Sequence, residues 1–224
     1  MLSFRTFVLA LVFGIALGSE AVFAQDINVL PKYGSQPKNE AQKAADAKFL
    51  SSVDEYYKGN RKKAAEDVSA RGWQFLQQNN YPEAMRRFNQ AWLLDNTNGA
   101  ALWGMAAISS ISGKSEESLK LFAEAERVVG SDLNFAVDYA LTLGSIATRE
   151  RNEARINEAF ARFARLYERA PQHTMNLQNW AIVLFNVGNY AEAWKKIKLA
   201  ERTPGGAGLD KRFTTALQEK MPRP

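Results

Sequence analysis

From residue 39 onward, apolar residues recur every three or four positions. That is the spacing of amphipathic helices and not the alternation of strands. In 39–58, Ala45, Phe49, Val53 and Tyr56 or Tyr57 form one stripe, and Gly59-Asn60 marks a left-handed stop. A second pattern then returns four times: a small residue, a large apolar residue four later, and a third three further on. The copies are Ala84/Phe88/Ala91, Ser118/Phe122/Ala125, Ala159/Phe163/Leu166 and Ala193/Ile197/Ala200. Their anchors are 34, 41 and 34 residues apart. A period of 34 holds two helices of about 14 residues and two short turns. The small anchor lets the two helices approach. The large residue one turn along fills the groove between them. The long interval exceeds the period by seven, about two helical turns, so the buried face is kept. The charged run Arg149-Glu150-Arg151-Asn152-Glu153 is where lengthening of the third pair is expected.

The punctuation agrees with the period. Asn79-Asn80, Gly113 and Gly188-Asn189 precede three of the anchors at matching distances and tolerate the positive φ of a helix-ending turn. Asn96, Gly130, Pro171 and Gly205 close the repeats. The expected repeats are 65–98, 99–132, 133–171 and 172–204, preceded by a capping helix and connection over 39–64. Solenoid ends need caps, because a terminal repeat would otherwise expose an apolar face. Leu209, Phe213, Ala216 and Leu217 predict a C-terminal capping helix within 205–224. Pro31, Gly34 and Pro37 predict an extended linker over 25–38. The expected fold is all-α.

The anchors, the residues Phe88, Phe122, Phe163 and Ile197 after them, Pro171, and the small residues Gly72, Ala106, Ala140 and Ala181 of the first helices resemble the tetratricopeptide repeat (TPR) family. The resemblance covers about residues 65–204. It implies a TPR-like α-solenoid of about four helix-turn-helix repeats. The third repeat departs from the pattern by its length and by Leu166 in place of Ala, and the closing Pro stands in one repeat of four. Leu30-Pro31-Lys32-Tyr33-Gly34, Arg71-Gly72-Trp73 and Arg87 through Trp92 are also similar to a group of exported bacterial TPR proteins. That second likeness implies no activity.

The TPR resemblance places the first helix of each pair along a concave groove. The implied groove positions are Ser69, Trp73 and Leu76, then Trp103 and Ala107, then Asn134, Val137 and Leu141, then Met175, Gln178, Ile182 and Phe185. Trp73 and Trp103 are the expected hot spots, since an exposed Trp gives large contact area at low entropy cost. The other reading of each is core packing. Trp92, Trp180 and Trp194 fall nearer packing positions. The Lys/Asn/Arg clamp by which some TPR proteins hold a chain-terminal carboxylate is missing, with Ser69 and Trp73 at its first-repeat positions. An apolar or aromatic-rich peptide is the expected ligand.

Composition narrows the chemistry. Of 224 residues, 46% are hydrophobic and 24% charged, too apolar for a disordered chain. There is no Cys, which excludes disulfides, thiolate metal sites and a Cys nucleophile. The lone histidine, His173, sits after Pro171 and reads as a capping or solvated side chain. Gly113-Lys114-Ser115 looks like the end of a phosphate loop, but that motif needs a Gly at 108, where Ile stands, and a preceding strand. No cofactor and no metal are expected. The net charge of +5 is spread along the chain without an aromatic-laced basic patch, so no nucleic-acid partner is expected.

Residues 1–24 read as a cleaved signal peptide: Arg5, an apolar run from Phe7 to Leu17, and Val22-Phe23-Ala24 before the cut. The run is about half of what a bilayer span needs. The expectation is therefore a non-enzymatic, exported, periplasmic or secreted adaptor for a protein or peptide of the cell envelope, without a membrane span after cleavage. The alternatives are an envelope glycan-binding protein or hydrolase using groove carboxylates and tryptophans, and a self-assembling homo-oligomer whose groove takes the 25–37 segment of a neighbour.

Overall fold

A computed structural model describes residues 26–224. The signal peptide expected at 1–24 lies outside the described residues. Ten helices follow one another: α1 (Glu40–Tyr56), α2 (Arg61–Gln77), α3 (Tyr81–Leu94), α4 (Gly99–Ile111), α5 (Ser115–Val129), α6 (Leu133–Glu150), α7 (Glu153–Arg169), α8 (Thr174–Asn186), α9 (Tyr190–Glu201) and α10 (Lys211–Lys220). No strand occurs among the described residues. Helices α2/α3, α4/α5, α6/α7 and α8/α9 form four hairpins, and consecutive hairpins stack. The chain is an all-α solenoid of TPR-like helix pairs.

The sequence signature explains the pairing. Ala84, Ser118, Ala159 and Ala193 have no exposed surface, nor do Ala106, Ala140 and Ala181 on the facing helices. At Ser118 the small side chain does more than give room, because its hydroxyl donates to the Ala106 carbonyl at 2.9 Å. Phe88, Phe122, Phe163 and Ile197 are buried one turn along. Each removes a large apolar side chain from water, a contribution of about 2–3 kcal/mol.

Turns and caps recur with the same period. The hairpin turns place Asn79, Gly113, Arg151 and Gly188 at φ of 58°, 75°, 54° and 82°. Arg151 takes this left-handed position without being Gly or Asn, in the charged run where the third hairpin is longer. There α6 has 18 residues against 13 in α4, and α7 has 17 against 15 in α5. The seven extra residues thus extend both helices. The side chains of Asn98, Asp132 and Asp210 cap α4, α6 and α10. At α8 the same place belongs to His173, whose Nδ1 accepts the Asn176 N–H at 3.2 Å. Gly113 serves the hairpin turn, so Gly113-Lys114-Ser115 joins two helices.

Both ends are covered. In α1, Phe49, Leu50, Val53 and Tyr57 pack on the first core cluster while Tyr56 stays 81% exposed. Tyr57, not Tyr56, is the inward member of that pair. At the far end Leu217 of α10 is fully buried, and the Trp194 indole donates to the Met221 carbonyl at 3.0 Å.

The lead-in differs from the extended linker expected at 25–38. Residues 27–29 and 31–35 form two 3-10 turns, and Lys32, Tyr33, Gly34 and Ser35 all have positive φ. The segment is a strap. Buried Asn89 of α3 holds it, donating to the carbonyls of Asn28 and Leu30 at 2.8 Å each and accepting the Tyr33 N–H. Lys32 pairs with Glu124 of α5, and Arg86 with Asp26. Pro and Gly spacing signalled irregular backbone but carried no information about a buried polar partner 56 residues away.

Candidate functional site

The first helices of the hairpins approach one another, α2 on α4 and α6 on α8, whereas the second helices α3, α5, α7 and α9 make no comparable approach. Helices packed closer on one face of a stack lie inside its curve, so α2, α4, α6 and α8 line the concave side. Half-buried positions on these helices that form the candidate stripe are Trp73 on α2, Trp103 and Ala107 on α4, Asp138 and Leu141 on α6, and Ile182 on α8.

The expected site residues divide. Ala107 and Ile182 are half-buried, Leu141 is half-buried against the Ala140, Phe163 and Val183 cluster, and Asn134 and Met175 are exposed. Asn134 and Met175 share a hollow of about 370 Å³ with His173, Thr174 and Leu209. Leu76 is half-buried against the first core cluster. Four assignments are corrected. Ser69 is 2% exposed and Val137 is also 2% exposed; the Ser69 hydroxyl turns back onto the Glu66 carbonyl. Gln178 is buried too, and its side chain accepts the Asp210 N–H at 2.8 Å, joining α8 to the C-terminal cap. Phe185 faces that cap as well, its ring 5.7 Å from Phe213 and 5.4 Å from Tyr190. Ser69 and Val137 are thus taken up by packing.

Trp73 and Trp103 combine both readings. Their rings meet edge to face at 4.7 Å, and Trp73 packs on Phe88 at 5.7 Å. The Trp73 indole donates to the Ala100 carbonyl of α4 at 3.2 Å. Trp103 in turn packs on Phe135 of α6 at 5.6 Å. Each indole thus spans from one first helix to the next and leaves part of its surface on the groove. Trp194 is core, 2% exposed. Trp92 and Trp180 are half-buried under the cations of Lys32 and Lys196.

Sequence reasoning missed Asp138. It stands two residues before the small residue of its helix, where the other repeats have Ala70, Gly104 and Asn179. Burial pushes its carboxyl up to about 6, the Trp103 indole opposes this, and Asp132 adds to it. The Trp103 N–H faces this carboxylate at a geometry short of a regular hydrogen bond. Among the described residues no cation pairs with Asp138. Aligning the repeats on that column would have shown the odd carboxylate.

No protein-family model matches the chain, and no curated protein matches it. Among solved structures the chain is similar to YrrB, described as a TPR protein with an unusual peptide-binding site. The identity is 16% and the TM-score 0.32, over 70% of this chain and 98% of that one. The architecture stated above rests on the helix pairs themselves. Among the described residues no group of three metal-ligating side chains gathers, and no helix is long and apolar enough to cross a membrane.

Proposed function

We propose that this protein is a non-enzymatic binding scaffold that holds a protein or peptide segment along its concave face, in the bacterial cell envelope after removal of residues 1–24. The carrying observation is the continuous half-exposed stripe from Trp73 through Trp103, Ala107 and Leu141 to Ile182. Its apolar side chains are displayed on stacked helices whose positions are set by buried packing, so a ligand meets a pre-shaped surface. The envelope location rests on the leader pattern alone. Ala107→Arg with Leu141→Arg fills the groove while keeping both indoles, and far-UV circular dichroism checks that the fold survives. In-cell crosslinking should recover a discrete partner with the native chain and lose it with this pair. Equal recovery by both would end the groove assignment. N-terminal sequencing of the chain from fractionated cells should begin at Gln25; an intact Met1 in the cytoplasmic fraction would end the envelope assignment.

A further inference from the structure

Asp138 is the least explained group on the groove. A half-buried carboxylate left without a cation is costly, because its lost hydration is only partly replaced. Elsewhere in the described chain Asp54, Asp67 and Glu116 have found Arg or Lys partners. Asp138 instead faces the Trp103 indole N–H, and the charged group that acts on it is Asp132, of like sign. Its repeat-mates Ala70, Gly104 and Asn179 are neutral, so among these equivalent positions only 138 carries a charge. The half-exposed Trp103 ring stands beside it. Half-exposed Leu141 lies one turn along α6, packed on the Ala140, Phe163 and Val183 cluster. An anionic group next to an indole, with an aliphatic side chain nearby, complements a long side chain with an apolar stem and a cationic end.

We infer that the centre of the concave face is a subsite for a lysine or arginine side chain of a bound peptide, the stem lying on Trp103 and Leu141 and the cation pairing with Asp138. This rests on the peptide-binding reading above. It differs from the apolar or aromatic-rich ligand that the sequence predicted, by requiring one basic residue among apolar ones. The bound cation supplies the partner that the folded chain withholds, and the pair forms in a site only partly open to water.

The test uses the chain from residue 25 onward. An array of terminally blocked nonapeptides, random apart from a central Lys, Arg, norleucine or Glu, is screened for binding. The strongest binders and their central-residue swaps are then measured by calorimetry. Replacing the central Lys by norleucine should weaken binding at least tenfold on the native chain. On Asp138→Asn the two peptides should bind within about twofold of each other. Asn already occupies the equivalent place on α8, and far-UV circular dichroism confirms the variant's fold. A second arm needs no variant: on the native chain the Lys preference should shrink as pH falls from 7.5 to 5 and Asp138 takes up a proton. Norleucine binding as well as Lys, or a Lys preference unchanged in Asp138→Asn and across that pH range, overturns the basic subsite and leaves the groove reading standing. If no peptide binds, both fall together.

Discussion

The outer and central junctions of the solenoid are built differently. At the outer junctions α2 meets α4 and α6 meets α8 closely, and glycines stand at or beside both contacts. A Cβ on Gly104 would lie 2.1 Å from the Phe88 ring, and one on Gly144 would lie 2.7 Å from Val183. Between α4 and α6 there is no comparable main-chain approach. Aromatic rings join the two hairpins instead: Trp103 of α4 on Phe135 of α6 at 5.6 Å, and Phe122 of α5 stacked on Tyr139 of α6 at 5.0 Å. Close backbones leave room between α2 and α4 only for the packed Trp73 and Trp103 rings. A junction held open by rings leaves room for a functional side chain, and that is where Asp138 sits. The same period can therefore serve two purposes, rigid stacking at the ends and a chemically marked notch in the middle.

The sharpest way to break this comparison is Trp103→Ala. It removes two edge-to-face contacts and much of the bridge from α4 to α6. The expected loss is about 3 kcal/mol, the low end for a truncated Trp because the ring is only half-buried. A stack held by nearest-neighbour interfaces separates where one interface weakens. Urea unfolding followed by circular dichroism should change from one transition to two, with α1–α5 and α6–α10 as the units. A single transition shifted as a whole would mean that the two halves are coupled by something other than the rings. A Trp73/Trp103 double truncation is consequently a poor probe of binding, since it damages the fold it is meant to spare.

Gly104→Ala comes next, at about 2 kcal/mol. Overpacking costs about 1–3 kcal/mol, and the gain in helix propensity of up to about 1 kcal/mol offsets part of it. Phe88 cannot retreat, because a Cβ at Gly72 on its other side would already lie 2.6 Å away. The variant should lower the unfolding midpoint while keeping one transition. An unchanged midpoint would show that the outer junction has slack. Asn89→Ala is smaller, about 1–2 kcal/mol, the loss expected when buried carbonyls of the strap lose their donor. Limited proteolysis should then cut within 26–38 while α3 stays protected.

Much of this was legible in the sequence, and for a physical reason. The anchors, the large residues after them and the turn residues act through contacts within one hairpin, so spacing alone reports them. The lengthened third pair was legible too, because seven residues must appear somewhere in a helical repeat. The strap was not, since what orders it is Asn89, and a buried Asn looks like any other until its partners are known. The groove assignments divided for a similar reason. Spacing finds the helix face, but a rotation of tens of degrees moves Ser69 and Val137 from groove to packing positions. Asp138 was missed because carboxylates abound on helix surfaces, and only burial without a cation sets this one apart.

The smallest expected stability effect tests that distinction most directly. The Asp138 carboxyl is raised from 3.8 to about 6 in the folded chain by burial. A raised carboxyl pKa means that folding favours the protonated form. The folded chain is therefore relatively more stable below about pH 4, and this contribution is lost as pH rises through about 6. A full shift of this size corresponds to about 3 kcal/mol. Water reaching the groove side reduces the expected value to about 1 kcal/mol. Asp138→Asn should accordingly be more stable than the native chain at pH 7.5, and the advantage should vanish by pH 4. The comparison must be made as a difference between the two chains. Asp54, Asp67 and Asp210, lowered by hydrogen bonds to Arg61, Lys63 and Arg212, pull the overall curve the other way. A variant less stable than the native chain at pH 7.5 would mean that the Trp103 N–H already satisfies the carboxylate. In that case the central notch would be a finished part of the junction, built like the outer ones for stacking alone.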